Sequence, residues 1–120
     1  MVSKDALPVG SQITLYKYTF AESFKNGLNT ETIQAEVCER ENDPDRAFLV
    51  LKGINIKRML AVDDLGKVST RPYYMVILAE DDLDLAKSLV TDKMQERIAK
   101  LEEDIALTEK RIKAVAAATS

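Results

Sequence analysis

Apolar residues recur along this chain with two different periods. Up to about residue 79 they come in short runs and alternations, and beyond it they repeat at helical spacing. Residues 13–20 mix β-branched and aromatic types, which favours a strand. Ile13 and Leu15 fall on one face of it, Tyr16, Tyr18 and Phe20 on the other. Both faces carry apolar weight, so this strand is expected to be covered on both sides or to lie at an interface. Residues 21–26 predict one short helical turn, stopped by Gly27 as a left-handed cap.

Residues 32–39 alternate: Ile33, Ala35 and Val37 face one way, Thr32, Gln34, Glu36 and Cys38 the other. That is a half-buried strand with one wet face. Residues 41–45 have the composition of a turn, and the apolar run 47–51 predicts a central buried strand, the two strands forming a hairpin. Residues 54–62 read as one bulged strand, followed by a turn at 63–66 and a brief return at 67–70. Arg71-Pro72 resets the chain, and residues 73–79 predict another central strand.

The last third changes character. From 82 to 117 there is no Gly or Pro, so nothing breaks a helix. Ile98, Ile105 and Ile112 recur every seven residues, and Met94, Leu101, Thr108 and Val115 fill the intervening positions of the same stripe. This is a heptad seam with the isoleucines at a and the second set at d. Upstream, Leu83, Ala86, Val90 and Met94 are spaced three, four and four, a shift like a stutter. The expectation is that residues 83–90 pack on the sheet and 94–115 pack on a partner. A 36-residue helix measures roughly 54 Å, against a diameter of roughly 30 Å for an 80-residue globule. The competing arrangement bends the helix near Thr91-Asp92 and folds it back on its own sheet.

Isoleucine at a with leucine at d favours a parallel dimer. Thr108 is a weak d residue, and of the parallel edge pairs Arg97–Glu102 attracts while Asp104–Glu109 repels. Stoichiometry and orientation therefore stay open. Glu96–Lys100 and Glu109–Lys113 stand in the favourable order for pairs within one helix. Asp81, Asp82 and Asp84 near the start, and Lys110, Arg111 and Lys113 near the end, suit the helix dipole.

Charge and composition narrow the functional classes. Seventeen basic residues face 20 acidic ones, which lacks the positive excess of a nonspecific nucleic-acid binder. No apolar run approaches the ~18 residues of a membrane span, and residues 1–10 lack the layout of a signal peptide. A cytoplasmic protein is the expectation. Histidine is absent, which removes His-based triads, His-ligated metals and an imidazole base. Cys38 is the single cysteine and has no neighbouring cation to activate it. Gly66-Lys67 is not a phosphate loop, because Ala61 and Val68 stand where Gly and Ser or Thr belong. Tyr16, Tyr18 and Phe20 beside Lys17 read as core or interface before they read as a base-stacking platform. The acidic groups lack the spacing of a calcium loop.

The sequence thus predicts an α+β chain. A small antiparallel sheet of about five strands (domain 1–80) precedes a long C-terminal helix with coiled-coil character (81–120). The expected function is non-enzymatic: a homo-oligomeric assembly or adaptor protein, dimeric or higher, with no cofactor or metal. Such a layout is compatible with phage and bacterial accessory proteins, by analogy of shape. Met94, Ile98, Leu101, Ile105, Ile112 and Val115 would hold the subunits together. The alternative is an oligomeric module that binds an anionic small molecule such as a nucleotide through Lys57, Arg58 and Arg71.

Overall fold

The computed structural model describes residues 8–40, 43–51 and 58–118, apart from the side chains of residues 40, 43–47, 58 and 59. Five strands are followed by one helix: β1 (Gln12–Phe20), β2 (Leu28–Arg40), β3 (Asp43–Leu51), β4 (Arg58–Ala61), β5 (Tyr74–Leu78) and α1 (Leu83–Ala117). The strands form one antiparallel sheet in the order β4-β3-β2-β1-β5. The chain is therefore α+β, strands first and helix last.

β1 and β2 pair along their full facing length, from Gln12 opposite Glu36 to Phe20 opposite Leu28. Their connection differs from the helical turn expected over residues 21–26: the 3-10 turn is confined to Lys25–Gly27, Gly27 lies within it, and Asn26 takes φ +60°. Gly27 takes φ +73°, and its carbonyl accepts the Ala21 amide at 3.1 Å, which closes the hairpin. β2 begins at Leu28, four residues earlier than its alternation predicts, because Gly27 delivers the chain straight into the ladder. Asp43, Pro44 and Asp45 belong to β3 and not to the predicted turn. A register shift between Glu39 and Arg40 lets the hairpin run on past them. Residues 54–57 of the fourth predicted strand lie outside the described residues; its remainder is β4, which ends in a 3-10 turn at Val62–Asp64.

The sheet is curled. In a flat five-stranded sheet β4 lies about 19 Å from β5. Yet Ala61 ends β4 and the Gly66 amide already donates to the Ile77 carbonyl on β5 at 2.9 Å. Five residues reach at most about 17 Å even fully extended, and three of these five are in the 3-10 turn. The two edge strands must therefore approach each other. Leu60 of β4 accordingly lines the same cavity as Met75 and Ile77 of β5. The concave face holds Leu15, Ile33, Ala35, Val37, Leu49 and Leu51, with Val62 and Leu65 packed against them.

The opposite face forms a second core. Tyr18, Val76 and Leu78 pack there with Ala86 and Val90 of α1, flanked by Tyr16, Phe20, Leu28, Tyr74, Leu83 and Leu89. β1 is thus covered on both sides, as its two apolar faces require. Residues 83–90 pack on the sheet as their spacing predicts. β5 corrects the sequence reading: it is an edge strand, not a central one. Its apolar run arises because its alternate residues serve the two cores, Ile77 one and Val76 and Leu78 the other. Its outer edge is satisfied by the loop before it, where Ser69 and Met75 exchange two backbone hydrogen bonds of 2.8 and 2.9 Å. The peptide bond between Arg71 and Pro72 in that loop is cis.

Asp82 caps α1. Its Oδ1 accepts the Leu85 amide at 3.0 Å and its carbonyl accepts the Ala86 amide at 3.1 Å. The helix continues without interruption through Thr91 and Asp92, where the competing reading placed a bend. By packing, the chain divides into two compact units, residues 1–90 and 91–120. β5 ends at Leu78 and α1 begins at Leu83, whereas packing divides the chain at 90/91.

Leu15 is fully buried in the concave core. Leu15→Ala leaves a cavity there and is expected to cost about 2–5 kcal/mol of stability. Urea denaturation measures it as a lowered midpoint with an unchanged slope.

Candidate self-association surface

Each member of the predicted seam lies on α1 and faces solvent in the single chain. Met94 is 37% exposed, Leu101 46%, Ile98 55%, Ile105 58%, Ile112 63% and Val115 76%. Ala86 and Val90, on the same helix, are buried. Every described residue of α1 from Thr91 onward is exposed, so the seam residues face solvent because this stretch lies outside the packed unit of residues 1–90, and not because of their spacing. Near the end of the helix Thr108, Arg111, Ile112 and Val115 line a shallow groove with Ala116, and its surface is almost wholly apolar. The first four stand at i, i+3, i+4 and i+7. Leu107 is a further exposed apolar residue, 45% accessible and off the stripe; only its residue type marks it in the sequence. Glu96 pairs at 3.4 Å with Lys93, one turn before it, and not with the expected Lys100 one turn after it.

Of the three proposed anion-binding residues, only Arg71 has a described side chain. Lys57 lies outside the described residues, and Arg58 opens β4 with its side chain outside the description. Arg71 is exposed in the loop before β5, where its carbonyl accepts a hydrogen bond from Ser69 Oγ at 3.2 Å. Among the described residues no cluster of three or more His, Cys, Asp or Glu is placed to hold a metal ion. No helix among them is long and apolar enough to cross a membrane. No protein-family model, curated protein or solved structure matches the chain.

A polar groove lies on the β domain, lined by Tyr16, Lys17, Tyr18, Thr30, Glu31, Thr32 and Asp81. Lys17 and Glu31, opposite each other across β1 and β2, approach to 3.9 Å. At one wall the Tyr18 hydroxyl donates to Asp81 Oδ1 at 2.8 Å. This bond ties the segment just ahead of α1 to the sheet. Sequence reasoning missed the pair because its members are 63 residues apart. Tyr18 is 3% exposed and belongs to the core, so the aromatics of β1 pack and do not form an open stacking platform.

Burial pushes the Tyr18 phenol up to about 12 from its ordinary 10, aided by the hydrogen bond to the Asp81 carboxylate and by that carboxylate's charge. The folded chain thus holds this proton more tightly than the unfolded chain. The stabilisation is fully present below pH 10 and is lost as pH rises through about 12. Tyrosinate absorbance should show one of the four tyrosines titrating late, near pH 12, and Tyr18→Phe should remove that step.

Proposed function

We propose that this chain is a non-enzymatic, self-associating adaptor. The helix beyond Met94 joins copies of the chain, and the β domain presents the surface that other molecules meet. The observation that carries this reading is the coincidence of heptad spacing with exposure. Six apolar side chains that recur at a and d positions are all left in water by the single chain. Scattered exposed apolar residues need no explanation, whereas a contiguous stripe marks an interaction surface.

Two further features support it. The groove between Thr108, Arg111, Ile112 and Val115 has the four-residue outline that receives one side chain from a facing helix. The seam also has the size required. Its six residues expose on the order of 600 Å² per copy, so a pair would cover roughly 1,200 Å², at the lower edge of stable interfaces. The isolated helix gains nothing from leaving this stripe exposed, and a second copy offers an identical stripe of matching length.

Light scattering on the full chain tests the reading. The expected mass is a multiple of the 13.4 kDa monomer. Ile98→Asp combined with Ile105→Asp places charge in the seam and should return the protein to monomer with the sheet intact by circular dichroism. A wild-type chain that stays monomeric to millimolar concentration overturns the proposal.

A further inference from the structure

The charged residues flanking the seam lead to one residue. With Ile98, Ile105 and Ile112 at a, the e positions are Gln95, Glu102, Glu109 and Ala116 and the g positions are Arg97, Asp104 and Arg111. In an in-register parallel pair, e faces the g residue five positions earlier on the partner. Glu102 then meets Arg97, whereas Glu109 meets Asp104. In an antiparallel pair, e residues flank e residues. That edge holds only Gln95, Glu102, Glu109 and Ala116, so it offers no cation in any register. Glu109 therefore faces a carboxylate or an uncharged residue in both two-stranded arrangements, and it never faces a base.

Its own helix does not compensate. Among the described residues Glu109 makes no ion pair, and the favourably spaced Lys113 does not reach it. Thr108, the weakest of the d residues, is its immediate neighbour, so unfavourable charge and weak packing fall in the same layer.

We infer that Glu109 is the residue that limits the strength of self-association, holding the second copy weakly at the Thr108 layer. This rests on the reading of the helix as a self-association surface. The consequence is a reversible contact, tightened by salt and by any substitution that removes the negative charge. A basic residue at 109 would face Asp104 in the parallel pair and Glu102 in the closest antiparallel one, and either contact is attractive.

Each exposed charge contact changes an equilibrium severalfold at most, and a symmetric pair contains two of them. Glu109→Lys should therefore tighten the dissociation constant about tenfold at low salt, and Glu109→Gln about threefold. Sedimentation equilibrium of the full chain at low and high salt reads both, with Glu103→Lys as the control at a solvent-facing f position. Tightening at 109 and not at 103, shrinking as salt rises, supports the inference. If the wild type assembles, the Ile98→Asp and Ile105→Asp pair abolishes assembly, and Glu109→Lys binds no more tightly than Glu103→Lys, this inference falls and the reading beneath it stands. If wild type and both Glu109 variants remain monomeric, both fall.

Discussion

The β domain depends on one docking event: the first two turns of α1 against the convex face of β1 and β5. Without Ala86 and Val90, the rings of Tyr16, Tyr18 and Phe20 would line an open sheet face. Small Ala86 lets the helix approach closely, and it is fully buried where it does so. Two acids then fix the helix end. Asp82 accepts the amide that α1 leaves unpaired, and Asp81 accepts the phenol of Tyr18 from the sheet. Both acidic side chains also sit where the helix dipole favours negative charge. Adjacent residues thereby serve helix and sheet separately, which sets where α1 begins relative to β1.

The concave core is built by different means. No helix covers it. The β4-to-β5 connection does, because it is too short to pass around a flat sheet and so draws the two edges toward each other. Val62 and Leu65 on that connection complete the packing around Leu49 and Leu51. The domain thus covers the concave face with a short connection and the β1–β5 part of the convex face with a two-turn helical segment, while Thr30, Thr32 and Gln34 of β2 stay exposed. That economy explains why the rest of α1 is not required for the core.

Local periodicity made the fold class, the β2–β3 hairpin and the span of α1 legible in the sequence. Alternation at Ile33, Ala35 and Val37 and the absence of Gly and Pro after residue 82 are signals carried by neighbouring residues. What was not legible depended on distant partners. β5 reads as central because Val76, Ile77 and Leu78 are apolar in succession, yet strand order is decided by what each edge meets. The Tyr18–Asp81 bond joins opposite ends of the domain and leaves no local trace. The seam was legible as spacing alone, since heptad recurrence records a face and not what covers it.

The two stripes on α1 impose separate requirements on one element. Leu83, Ala86 and Val90 have the three-and-four spacing that fits a sheet, while Ile98, Ile105 and Ile112 recur every seven residues. The consecutive steps of four from Val90 to Met94 to Ile98 join the two without a break in the backbone. A helix can change its contact face in this way only by shifting its apolar positions, because its backbone geometry is the same throughout. Polar residues fill the segment between the two stripes: Thr91, Asp92, Lys93, Gln95, Glu96 and Arg97 are all exposed.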